Sequence, residues 1–142
     1  MKELEKVLTE QIMDLQVNEV SPCVVEMQEF YFDRTEKDNS KWLELITKAL
    51  QGARTFEIHC WNEEKEWIEL AQKYGTLKES NWKYGKIVTG SVTQEFADML
   101  LNMPKPVDIE IYNKMTPFFN VFLDDRFQSC HYGTENYVEE KK

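Results

Sequence analysis

Apolar positions recur at two different periods along this chain, and each change of period marks the passage between a helix and a strand. From Lys2 to about Val17, Leu4, Val7, Leu8, Ile12 and Leu15 fall at helical spacing, with Glu3, Glu5, Glu10 and Asp14 between them. That pattern predicts an amphipathic helix, ended by Ser21-Pro22. Pro22 to Asp33 then alternates as a strand with apolar residues on both faces, and Arg34 to Asn39 makes a polar loop. A second helix is predicted from Ser40 to Gln51, with Asp38, Asn39 or Ser40 as N-cap and Gly52 at its C-terminal end. Arg54 to Trp61 reads as a strand, placing Phe56, Ile58 and Cys60 on one face and Glu57, His59 and Trp61 on the other.

Asn62 is the expected cap of a third helix, with Glu63, Glu64 and Glu66 where the helix dipole favours negative charge. Trp67, Leu70, Ala71 and Tyr74 form its apolar stripe, and Gly75 closes it. Thr76 to Gly85 is expected to be a polar loop, and Lys86 to Val92 a strand in which Gly90 suggests a bulge or an end. Thr93 is positioned to cap a fourth helix that stops at Met103-Pro104. Val107 to Tyr112 alternates as a further strand. Phe118–Asp124 and Phe127–Tyr132 form a closing hairpin turned by Asp124-Asp125-Arg126. The elements do not alternate regularly and the chain closes on consecutive strands. The predicted class is therefore α+β: one domain over residues 1–142, a mainly antiparallel sheet with about four helices, and a short charged tail from Tyr137 expected to fray.

Composition narrows what such a domain does. With 17 Lys+Arg against 26 Asp+Glu the formal charge is −9, and the basic residues are scattered. Proteins that bind nucleic acid neutralise phosphates with clustered Lys and Arg, so nucleic acid and anionic membrane surfaces are excluded as expected partners. A basic protein is favoured in sign, although surplus charge also serves solubility. No apolar run approaches a membrane span, MKELEKVLTEQ has no secretory signal, and three widely spaced cysteines (Cys23, Cys60, Cys130) fit reduced thiols. A cytoplasmic location is the expectation.

His59-Cys60 and Cys130-His131 hold the two Cys and two His that suit zinc, but strand neighbours point to opposite faces, so no metal or cofactor is expected. A Cys–His nucleophilic pair would need an activated thiolate, and no Gly-rich elbow or basic cluster flanks either cysteine. Glu63-Glu64 and Asp124-Asp125 already suit a helix start and a turn. None of the phosphate-binding, serine-nucleophile or zinc-protease motifs occurs, so enzymatic activity is not expected. Trp42 and Trp67 belong to helical stripes. Trp61 and Trp82 stand among polar groups, as interface anchors do.

The segments FEIHCWNEEKEWIELAQKYG (Phe56 to Gly75) and MTPFFNVFLDDRFQSCHYGTEN (Met115 to Asn136) resemble small cytosolic proteins of Gram-positive bacteria. In size, acidity and α+β layout the chain is similar to the immunity proteins of polymorphic and contact-dependent toxin systems. The resemblance implies that it binds a cognate toxin domain, often a basic nuclease, and occludes it. The expected contact residues, from face assignment, are Glu57, His59, Trp61, Glu63, Glu64, Trp82, Asp124 and Asp125. The competing expectation is a small-molecule binder or enzyme with a cleft near His59 and His131. A subunit of a larger assembly is a third.

Overall fold

A strand whose alternate side chains are Phe56, Ile58 and Cys60 can bury one whole face, and the helical stripes supply what covers it. The computed structural model describes residues 27–107 and 113–139. In chain order the elements are β1 (Met27–Tyr31), α1 (Ser40–Leu50), β2 (Thr55–Trp61), α2 (Lys65–Gln72), β3 (Thr76–Lys78), β4 (Gly85–Ser91), α3 (Gln94–Leu101), β5 (Asn120–Leu123), β6 (Phe127–Cys130) and β7 (Glu135–Glu139). The expected helix over Lys2–Val17, the strand residues Pro22–Glu26 with Cys23, and residues 108–112 of the expected strand at Val107–Tyr112 lie outside the described residues. So do the last three residues of the tail.

Among the described residues the strands form one seven-stranded sheet in the order β1-β7-β6-β5-β2-β4-β3, with every neighbouring pair antiparallel. Cross-strand partners share a face. Phe56, Ile58, Cys60, Val88, Val121, Leu123 and Phe127 therefore point to one side, where they join Trp42 and Ile46 of α1, Ile68 and Ala71 of α2, and Phe96 and Leu100 of α3 in a single core. The Phe56 and Phe96 rings stack 4.0 Å apart. All three described helices thus pack on the same face. The α+β class and the antiparallel sheet agree with expectation, with three of the four expected helices among the described residues.

Several local expectations need correction. The polar segment after Gly75 contains β3, which extends the sheet edge beside β4. The segment expected to fray holds β7, an interior strand bonded to both β1 and β6. Its charged residues read as tail because only alternate side chains face the core. Asn62 does not cap α2: its backbone N–H donates to Tyr84 O, continuing the sheet, and Glu64 takes the cap position without a side-chain bond to the helix's own N–H groups. The β2–β4 register runs unbroken through Gly90, whose added Cβ would sit 2.7 Å from Tyr74 O and 2.8 Å from the Phe56 ring. Close packing, rather than a bulge, requires that glycine. Gly52 after α1 has φ +79, and Thr93 Oγ1 accepts from Phe96 N–H to cap α3, both as expected. No described helix is long and apolar enough to cross a membrane.

Candidate functional site

The second face of the sheet takes the other half of each strand's alternation. It presents Glu29 and Tyr31 of β1, Glu135, Tyr137 and Glu139 of β7, and Gln128 and Cys130 of β6. Beside them lie Asn120 and Phe122 of β5, Glu57, His59 and Trp61 of β2, Ile87 and Thr89 of β4, and Lys78 of β3. No side chain in this set is buried. Its strand carboxylates outnumber its one strand lysine, and aromatic rings run across it.

At the C-terminal end of β2 the rings close into a cluster. Trp61 lies 5.1 Å from Trp82 and 4.8 Å from Phe119, and His59 lies 5.8 Å from Trp82 and 4.9 Å from Phe122. Trp82 comes from the β3–β4 loop but is seated by the sheet. A Cβ at Gly85 would fall 2.3 Å from its Cη2 and Cζ3, so only glycine lets the indole lie there. The loop is held by Asn62 Nδ2 donating to Lys83 O at 2.9 Å and by Trp82 N–H donating to Ser80 Oγ.

His59 is fixed at both nitrogens. Asn120 Oδ1 accepts the His131 backbone N–H, which turns the Asn120 amide N–H toward His59 Nδ1 at 3.1 Å. Nδ1 therefore accepts, Nε2 carries the proton, and Glu57 Oε2 receives it at 2.7 Å. Burial works against the Glu57 carboxylate, but the hydrogen bond and charge interaction with His59, and then the Lys78 ammonium 3.5 Å away, outweigh it and hold its pKa below the usual value. Three successive left-handed residues, His131 (φ 52), Tyr132 (φ 61) and Gly133 (φ 85), turn β6 into β7. They are held there by Tyr132 N–H donating to Phe119 O, Met115 N–H donating to Tyr132 O and Tyr132 Oη donating to Glu64 Oε2.

Glu57, His59, Trp61 and Trp82 are thus brought together. Glu64 stands behind them as a brace, one oxygen on Trp61 N–H and the other on Tyr132 Oη. Glu63 is exposed in the turn before α2. Asp124, left-handed at φ 52, accepts from Arg54 N–H, Thr55 N–H and Thr55 Oγ1. The backbone hydrogen bonds from Thr55 and Arg54 hold its pKa low against burial. Exposed Asp125 sits beside it, and both line a hollow shared with Glu57, Phe122 and Gln128 at the opposite end of the face.

His131 does not follow Cys130 along a strand, since it already belongs to the turn; its Nδ1 lies 2.9 Å from Glu135 Oε2. Cys60 is in the core, its pKa pushed up to about 12 by burial and then by the Glu64 charge. Cys130 is half-buried on the open face, its thiol also raised by burial and by Glu135. Among the described residues no group of three or more His, Cys, Asp or Glu is placed to hold a metal. Phe119, Asn120 and Phe122 were not singled out by the sequence reading. The signal for Phe122 was its position between Val121 and Leu123, which alternation sends to the other face. No family model, curated protein or solved structure matches the chain.

Proposed function

We propose that this chain is an immunity-type binding protein that covers a basic toxin domain with the open face of its sheet. The observation that carries the reading is the two-sided sheet of the described residues: the three described helices bury one face, while the other presents unburied rings among carboxylates. Seven strands at about 4.8 Å spacing make that face roughly 29 Å wide, the scale of one side of a standard protein interface. Aromatic anchors provide desolvated contact area, and Glu29, Glu57, Glu135 and Glu139 meet the Lys and Arg with which a basic domain would hold its own substrate. The net charge of −9 steers encounter. The work is done in a bacterial cytoplasm, without a cofactor.

The enzyme or small-molecule reading has one feature behind it, that Asn120 ties His59 and His131 into one network. Yet His59 has both ring nitrogens engaged, and the Cys60 thiol lies on the opposite face. The binding reading is tested by co-expressing the chain with the domain encoded in the adjacent reading frame. A one-to-one complex and protection of the cell are expected, with association slowing far more than dissociation as salt rises. Absence of both complex and protection would overturn it.

A further inference from the structure

We infer that the aromatic cluster around His59 is the seat of a single arginine from the partner, stacked on the rings and paired with Glu57. The inference rests on the binding reading and names the chemistry of its central contact. Glu57 and Phe122 are directly opposed across the β2–β5 ladder, and His59 lies between Phe122 and Trp82. A planar cation laid over the His59 and Phe122 rings finds aromatic surface beneath it and the Glu57 carboxylate beside it, where Glu57 and Phe122 line one hollow. Guanidinium fits that description better than ammonium, because it stacks on aromatic faces and pairs with a carboxylate through a fork of N–H groups.

The charge on Glu57 is available to such a guest. The His59 hydrogen bond falls on Glu57 Oε2, which leaves Oε1 to a guest. Lys78 is the cation at hand. It reaches Glu57 Oε1 at 3.5 Å with a side chain 54% exposed, a contact worth little in water and easily displaced. The seat is also rigid. Trp82 is held over Gly85, Trp61 is backed by Phe119, and the bonded turn at His131–Gly133 fixes Phe119 O through Tyr132 N–H. Preorganised rings lose little freedom when a guest arrives, which is what makes a short contact area count. The molecule itself places a cation on a neighbouring ring, with Lys114 Nζ 4.2 Å from the Tyr132 centroid.

The probe is the blocked tripeptide Gly-Arg-Gly, titrated into the full chain while the indole N–H signals of Trp61 and Trp82 are followed by NMR. The comparison peptides carry lysine or uncharged citrulline in place of arginine. Saturable shifts with arginine, weaker ones with lysine and none with citrulline are expected, with half-saturation rising at least about fivefold in Glu57→Gln and in Trp82→Ala. Glu57→Gln keeps the side-chain shape and gives up only a partly exposed ion pair, so it should unfold cooperatively with a small drop in melting temperature, and loss of binding at about 25 °C is not loss of fold. Equal shifts with citrulline, or unchanged titrations in both variants, would overturn the seat. The two readings separate with the adjacent-frame domain. If both variants bind it with parental affinity, the arginine seat fails and the immunity reading stands. If no complex forms yet the arginine peptide binds as expected, the seat stands and the immunity reading fails.

Discussion

The two faces of one sheet are built from the same strands, and they obey different rules. On the helix side Phe56, Ile58, Val121 and Leu123 are at most 2% exposed, and even the polar Ser129 and Asn136 are fully buried. Ser129 Oγ accepts from Trp42 Nε1 at 3.0 Å and Asn136 Nδ2 donates to Gly133 O at 2.8 Å, while Asn136 Oδ1 has no partner among the described residues. On the open side the neighbours of these same residues, Glu57, His59, Phe122 and Gln128, remain in reach of water. Their order comes from ring contacts and local ion pairs rather than from burial. A core selects for fit within the chain, whereas the open face leaves its apolar area for something else to cover.

The comparison is broken most directly by truncating a ring on each side. Phe96→Ala should destabilise the protein by about 3–5 kcal/mol in urea unfolding, because it empties the centre of the core. Phe122→Ala should cost about 1 kcal/mol or less, since its ring keeps contact with water in both states. Equal losses would mean that the open face is covered in the isolated protein. A smaller contrast concerns the indoles. Trp42→Phe leaves the Ser129 hydroxyl buried without its donor, with an expected cost of about 1–3 kcal/mol, while Trp61→Phe should stay within about 0.5 kcal/mol.

Asp124 sharpens the comparison at the edge between the faces. Its pKa is depressed in the folded state, so the stability it contributes is complete above its unfolded value, about 3.9, and is lost as pH falls through the lower folded value. Asp124→Asn should therefore cost about 1 kcal/mol at neutral pH, and the gap to the parent should close as pH falls below about 4. Asparagine tolerates the left-handed backbone and keeps one oxygen for the Arg54 and Thr55 donors, so the change removes the charge and one acceptor. The smallest effect is on the thiols. Burial raises both Cys60 and Cys130, yet only Cys130 faces outward, so peptide-resolved alkylation should label it well ahead of Cys60, and faster as pH rises.

Much of the helical and central-strand layout was legible because each of those segments carries its own period. The stripe of α1, Gly52 at its end and the Thr93 cap of α3 are local features, decided within a turn or two of chain. The strands β3 and β7 were not legible in the same way. Three exposed residues at an edge and a run such as ENYVE carry too few apolar positions to announce a strand. They become strands because β4, β6 and β1 offer unpaired backbone groups beside them, a condition set by residues far away in sequence. The candidate site divides along the same line. Trp61 and Glu57 were assigned to one face from alternation alone, but the arrival of Trp82 depended on a missing side chain at Gly85.

The amino-acid order by itself determined the α+β class, the two-sidedness of β2, the Thr93 cap and the Gly52 stop, because each of these rests on neighbours within a few residues. Only the tertiary structure decided that all three described helices lie on one side, that Glu64 and Asp124 serve as internal braces, and that His59 is held by Asn120. Those outcomes require atoms from segments as many as seventy residues apart to meet, and local spacing holds no record of which segments will do so.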